Sequence, residues 1–574
     1  MVELVLRGGT VVDGTGAPRR RADVAVDGGR VVAIGTVDDE AATTVDVDGL
    51  VVAPGFIDLH THYDAQLFWD PYLSPSPLHG VTTVVAGNCG LTLAPAAPAD
   101  REFLCRLLAR VESIPTEALL AGVDYRWRSY PEFLSAVEDL APAVNVGFMV
   151  GHCALRRAAM GEAASERAAT ADEVAAMVAL LHEGLGAGGL GLSTSSAAAQ
   201  VDGEGRPTPP SFASREELLS LAGACRDHAG TSLEFIPDSF ARGFTPDDVA
   251  LLADMSAAAD RHLNWNTPLI NRDDPDLHWR QLAATDQAAA RGGRVVALFM
   301  PQNGPLQHDF LRAYVFRGLP GWGEVLDQEP AARLAALADP DVRRHLYESA
   351  EAATSGLTLL VRNWGAYEVN EVGGTRDPAL SGRKVSEIAA ERGVSDFDAM
   401  LDIVVDAKLD VGFVRYQYPS DEWTQAARRD VLHDPRVVLG ASDGGAHLDM
   451  MVGADFPTRS LAQLVRDEGV FSTEELVHHF TEVPARLYGL TGRGRLEPGA
   501  VADVVVFDEA LVGAGPLETR HDLPTGASRL TTTSLGVAHV LVGGRRVVAD
   551  GALTGERPGR VLCSGRDTET VAVA

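Results

Sequence analysis

Apolar and polar positions alternate in short Val-rich runs from Met1 to Gly55: LVLRGG, TVVDG, ADVAVDGG, RVVAIG, TTVDVDG and LVVAPG. Period-two alternation punctuated by Gly and Asp predicts short strands joined by tight hairpins. The far end repeats the style in ADVVVFDEALV and HVLVGGRRVVADG, where VLVGGRRVVADG echoes the opening VLRGGTVVDGTG. Two similar ends predict one discontinuous β-sheet domain, residues 1–56 with 488–574, flanking whatever lies between.

Between Ile57 and Leu487 the pattern changes. Apolar strand-like runs (GVTTVVAG, NVGFMVGH, GLGLSTSS, TSLEFI, HLNWNTPL, VVALFM, TLLVRNW and RVVLGASD) alternate with helical stretches such as ADEVAAMVALLHEGLGAG and SREELLSLAGACRDHAG. This alternation predicts an α/β fold with a parallel sheet, and about eight strands suggest a closed (β/α)8 TIM-type barrel over residues 57–487. The stretch from about residue 302 to 355, rich in Pro, Asp and aromatics, is expected to be an insertion between barrel units, in the manner of a lid.

Composition narrows the partners. A chain of 574 residues, 46% of them hydrophobic, can bury a large core. Its formal charge of −31 comes from 80 acidic residues against 49 Lys and Arg, and the acids are scattered along the chain. Such a surface repels phosphate backbones and anionic lipids, so neither nucleic acid nor membrane is an expected partner. The five cysteines, Cys89, Cys105, Cys153, Cys225 and Cys563, are odd in number and widely spaced, which points to reduced thiols. The opening MVELVLRGGTVVDG has no basic start followed by an apolar helix, and no run reaches the roughly 18 apolar residues of a membrane span. The cytoplasm is therefore the expected compartment, with homo-oligomerisation left open.

The chemistry begins at GFIDLHTHYD. In a strand, side chains alternate faces, so His60 and His62 point the same way. If Asp58 to His62 is the first barrel strand, both imidazoles face the lumen near its C-terminal mouth, where barrel enzymes place their reactions. They are either a metal pair or two histidines hydrogen-bonded in a polar barrel floor.

Taken together, VVAPGFIDLHTHYD, GVTTVVAGNCGLTLAP, VGHCALR, GASDGGAH and RLEPGAVADVVVFD resemble the amidohydrolase superfamily, in its N-acyl-D-amino-acid deacylase branch. The resemblance spans nearly the whole chain. It implies a (β/α)8 barrel beside a β-sandwich built from both termini, and hydrolysis of a non-peptide amide C–N bond by metal-activated water with an Asp general base. It also implies that Cys89, in GNCG, binds metal, and that Asp443, in LGASDGG, contacts the metal and takes the proton of the attacking water. Zinc accepts thiolate, imidazole and carboxylate ligands and keeps a position open for water when catalytic. Zinc, one divalent ion per chain, is therefore expected on His60, His62 and Asp443 with Cys89 bound or nearby.

The chain departs from the family at the fifth and sixth strands. The histidines expected there are absent: the strands read TSLEFIPD and HLNWNTPL, with Glu234, Phe235, Asn266 and Thr267 in their places. Lys384 and Lys408, the only lysines, lie far from GLGLSTSS, so a carboxylated-lysine bridge is excluded. Glu234 restores a second metal position if its carboxylate faces inward. His262 reads as a surface or loop residue, and His447, one helical turn after Asp443, as either a neighbour of the metal or a loop residue. His152 and Arg156 either hold a substrate carboxylate through charge-assisted bonds or brace the strand ends. Asn264 and Asn266 share a face and either donate to a ligand carbonyl or replace the lost imidazoles. The expected substrate is a small-molecule amide: an N-acyl-D-amino acid, a lactam, a cyclic imide or another amide. Two alternatives stand beside it, a non-hydrolytic ligand-binding scaffold with a degenerate metal site and a Lewis-acid enzyme acting on another bond.

Overall fold

The computed structural model describes residues 1–197, 199–311, 315–353 and 361–573. The chain divides into two units, one of residues 1–302, 422–448 and 452–574, the other of residues 303–421 and 449–451.

In the first unit, the Val-rich opening forms β1 (Val2–Val11), β2 (Arg20–Asp27), β3 (Arg30–Gly35), β4 (Ala41–Asp46) and β5 (Val51–Pro54). LVLRGG and TVVDG, expected as separate strands, run together as β1. A register shift between Leu6 and Gly9 absorbs the glycine pair, where Gly8 sits at φ +77°. β1 pairs antiparallel with β2 and parallel with β4 and β5. β5 in turn pairs antiparallel with Val504–Phe507, so strands from both ends of the chain lie in one nine-stranded sheet. Its buried face holds Leu4, Leu6, Val24, Val26, Val52, Val504, Val506 and Leu541, the period-two positions of these strands.

A parallel system follows. β6 (Phe56–Asp58), β7 (Val81–Ala86) and β8 (Asn145–Phe148) pair in order, and Met149 separates β8 from β9 (Val150–Gly151). β9 leads into β10 (Gly191–Ser195), β11 (Ser232–Ile236), β12 (Leu263–Asn266), β13 (Val295–Phe299) and then Val437–Leu439, all parallel. A parallel bridge joins Thr61, beyond β6, to Gly444, beyond Val437–Leu439. Parallel strands covered on both faces need continuous apolar runs, and β7, β10, β11 and β13 are buried at every position. The intervening helices begin at sequence-legible caps: Ser129 with Glu132, Thr170 with Glu173 and Thr245 with Asp248 form reciprocal capping boxes. Among the described residues no helix is long and apolar enough to cross a membrane.

The second unit has an antiparallel sheet of Pro305–Asp309, Val411–Tyr416 and Glu368–Val372, with Val411–Tyr416 in the centre. Its core is aromatic: Phe310, Phe316, Trp322, Trp364, Tyr367, Phe397 and Phe413 are buried, and Trp322 stacks on Trp364 at 5.6 Å and 7°. The stretch expected as an insertion, 302–355, is the front part of this longer unit, and its residues 312–314, 354 and 355 lie outside the described ones. Only part of TLLVRNW, expected as a strand, is described. Thr358–Leu360 lie outside the described residues, and Val361–Trp364 has no strand, because Trp364 opens a 3-10 turn that feeds the aromatic core.

Candidate metal centre

β6 ends at Asp58, so His60 and His62 stand one step beyond regular strand structure rather than within it. The chain stays extended there because Thr61 donates to Val85 O and His62 N–H donates to Gly444 O, at 3.0 and 2.8 Å. Both imidazoles are buried, with ring centroids 5.2 Å apart. From the adjacent strand, the turn after β7 carries Cys89 at φ +56°, between Gly87 and Gly90, both also at positive φ. Asn88 fastens that turn by donating to Thr61 O and Val85 O, and Gly90 N–H donates to Ser193 Oγ. The ligand atoms of His60, His62 and Cys89 lie within 4.8 Å of one another. Asp443 arrives from the segment after Val437–Leu439, also at positive φ, its N–H donating to His60 O. Its Oδ1 is 3.2 Å from His60 Nε2 and 3.9 Å from His62 Nε2.

Two more carboxylates face this point. Glu234, on β11, is buried; its Oε2 accepts from Cys89 N–H at 2.9 Å, and its Oε1 has no partner. Glu112, buried at the C-terminus of the helix Arg101–Val111, brings Oε2 to 3.6 Å from His62 Nε2 and 3.7 Å from His447 Nε2. Sequence reasoning missed Glu112, because an acid at a helix end in a connecting segment carries no motif. His447 is not one helical turn past Asp443 as expected. The segment is a turn, with His447 at positive φ and its N–H bonded to Glu112 O.

Electrostatics at this centre are those of acids crowded out of water. Burial, with Asp443, Asp64 and Glu234 nearby, pushes the Glu112 carboxyl well above its usual range. Burial lifts Glu234 to about 7, and burial with Glu234, Glu112 and Asp443 nearby pushes the Cys89 thiol well up. Against burial, the His60 hydrogen bond and the charges of His60, His62 and His447 hold Asp443 down to about 2. Burial, then His60, lowers His62 to about 3. Imidazole, thiol and carboxylate groups that converge in the dark interior with buried atoms such as His60 Nδ1, His62 Nδ1 and Glu234 Oε1 unpartnered fit a divalent cation.

The remaining candidates lie elsewhere or are already engaged. Arg156 is fully buried and closes a bidentate pair on Glu217, at 2.5 and 2.6 Å, with Ala164 O and Arg167 O on its other nitrogens. His152 bonds Glu217 Oε1 and Thr194 Oγ1. Of the two alternatives for this pair, these bonds match the brace, with Glu217 standing where a substrate carboxylate would. Asn264 donates to Leu233 O and Tyr488 OH, a structural tie, while half-buried Asn266 has no partner at Oδ1. His262 is not a surface residue: it is buried, edge-on to Tyr488 at 5.4 Å, and burial lowers it to about 3.

A model described as the amidohydrolase family matches residues 43–548. A D-aminoacylase of Alcaligenes xylosoxydans xylosoxydans is 32% identical over 571 residues, covering 98% of this chain and 97% of its own. An N-acyl-D-aspartate deacylase of the same organism is 32% identical, covering 98% and 95%. Among solved structures, an N-acyl-D-glutamate deacylase from Bordetella bronchiseptica, complexed with zinc and a phosphonate mimic of the tetrahedral intermediate, superposes with a TM-score of 0.63. It is 28% identical and covers 98% of this chain and 99% of that one. A D-aminoacylase with a binuclear metal centre, activated by one metal and attenuated by a second, has a TM-score of 0.64 at 27% identity, covering 98% and 100%.

Proposed function

The chain belongs to the amidohydrolase family, and on that premise we propose that it cleaves a small N-acyl-D-amino acid or a related open or cyclic amide with a single divalent ion, zinc by donor chemistry. It is a metal-dependent hydrolase of amide C–N bonds. The observation that carries the finer reading is the meeting of His60, His62, Cys89 and Asp443 from three separate segments at one buried point. The parallel order from β6 to Val437–Leu439, with the Thr61–Gly444 bridge, supports a (β/α)8 barrel over residues 57–487. The sheet shared by the two termini supports a separate terminal domain of residues 1–56 and 488–574.

His60, His62 and Asp443, with Cys89 beside them, would hold a divalent ion, which would supply Lewis acidity toward a carbonyl oxygen and bring the pKa of water toward about 7. The protein does the rest. Asp443 is ionised at neutral pH, and its side chain is 25% exposed where His60 is 0%, so it stands on the open side of the buried pair. An Asp443 carboxylate oxygen takes the proton of the attacking water and returns it to the leaving nitrogen. Glu234 holds the Cys89 backbone through its N–H and keeps the turn in place.

Substrate charge is read from the engaged arginine. Asp443, Glu112 and Glu234 face the centre, and Arg156 is spent on Glu217. Arg156, paired with Glu217, has no ion pair to offer a substrate carboxylate, so a neutral amide forfeits nothing by lacking one. N-acetyl-D-leucinamide is expected to be cleaved at its N-acetyl bond with a kcat/KM within about tenfold of that of N-acetyl-D-leucine, a difference of about 1.4 kcal/mol. A tenfold preference for the free acid removes this assignment. Metal analysis of purified protein is expected to return one equivalent per chain, and two equivalents overturn the single-ion reading. The missing imidazoles on β11 and β12 favour a scaffold instead, and a chain with no bound metal and no turnover of either compound is that scaffold.

A further inference from the structure

Glu112 is a buried acid of this centre that no sequence motif announces. It caps the helix Arg101–Val111 at its C-terminus, the end where the helix dipole disfavours an anion. It is 3% exposed, and the groups that act on its carboxyl are Asp443, Asp64 and Glu234, with no guanidinium or ammonium among them. Asp64 Oδ1 and Glu234 Oε1 are themselves buried without partners. A buried carboxyl stays protonated unless it is paired with a cation or ligates a metal.

The spacing points to the second. Neighbouring ligands about 2.1 Å from a zinc with four or five ligands lie about 3.0–3.6 Å from one another. Cys89 Sγ is 3.6 Å from His60 Nε2, and Asp443 Oδ1 is 3.2 Å from the same atom. Glu112 Oε2 is 3.6 Å from His62 Nε2, too long for a strong hydrogen bond and within the range of two groups that share an ion. On its other side, His447 Nε2 stands 3.7 Å away, and the His447 N–H fixes the Glu112 carbonyl.

We infer that Glu112 is a further ligand of the divalent ion held by His60, His62 and Asp443, oriented by His447, in a chain whose fifth and sixth parallel strands offer no imidazole to the centre. The inference rests on the ion site proposed above. It assigns part of the metal affinity to a carboxylate on a helix end outside every motif of the chain.

The test uses full-length protein stripped by a chelator and titrated with Co2+, read by competition with a coloured chelator and by the visible spectrum of the bound ion. Wild type is expected to bind one equivalent. Glu112→Gln is expected to bind tenfold or more weakly, about the loss seen when a group supporting a metal site is removed, with an altered Co2+ spectrum. His447→Gln is expected to weaken binding in the same direction and by less. Wild-type affinity in Glu112→Gln overturns the inference while leaving the ion site standing, as does weaker binding with an unchanged spectrum, which marks an effect of charge alone. If Glu112→Gln does not fold, Glu112→Asp decides, since a carboxylate one methylene shorter that binds as wild type overturns the inference. Wild-type protein that takes up no Co2+ ends both the ion site and this role for Glu112.

Discussion

Asp443→Asn lowers kcat by about 10²- to 10⁴-fold, the contribution of a positioned acid–base group, while the circular dichroism spectrum and melting temperature stay near those of wild type. Asparagine has the same shape and tolerates the left-handed conformation that Asp443 adopts at φ +54°. It can also keep a hydrogen bond to His60 Nε2, now with an amide oxygen as acceptor. What it cannot do is accept and return a proton at neutral pH. Metal content is measured on the same sample, because Asp443 is also a proposed ligand. With the ion retained at saturating metal, a loss in kcat belongs to the proton transfer, and a variant within twofold of wild type removes Asp443 from the reaction.

Glu217→Gln strikes the interior instead. Glu217, Arg156 and His152 have no exposed side-chain surface, and Glu217 accepts from both others. Removing the carboxylate charge leaves a guanidinium buried among carbonyls, which costs about 3–5 kcal/mol for such pairs. The expected result is a clear fall in melting temperature, and the paired change Arg156→Met with Glu217→Leu should recover part of it. The Glu217 carboxyl lies below its ordinary value, because the hydrogen bonds and charges of His152 and Arg156 outweigh burial. Its contribution is therefore present above pH 4.5 and is lost as the pH falls through the lower folded-state value. An unchanged melting temperature, joined to a raised KM for carboxylate-bearing substrates, would return Arg156 to the site as a clamp.

The strands with strong Val periodicity were legible, because Gly and Asp mark their ends; β2 and β3 lie where their apolar runs do. The convergence of the proposed metal residues was legible for a different reason. His60, His62, Cys89 and Asp443 each follow a strand directly, so local sequence carries both the strand and the ligand. Glu112 failed that condition, since its place depends on how a helix end returns to the strand tips. Arg156 and His152 are four residues apart on one helix, which shows a shared face but not that Glu217 closes it from another helix. TLLVRNW has the composition of a strand, and Trp364 is claimed by an aromatic core that its neighbours do not announce.

The terminal sheet sets a schedule on the ribosome. β5 obtains its antiparallel neighbour, Val504–Phe507, only after about 450 further residues are made, roughly 20–90 s at ordinary synthesis rates. Throughout that interval a nascent chain displays an unsatisfied Val-rich edge, the kind of template on which neighbouring polypeptides aggregate. Truncations that stop short of Val504 should therefore precipitate or stay chaperone-bound, even though every residue of the proposed hydrolytic centre has already been synthesised.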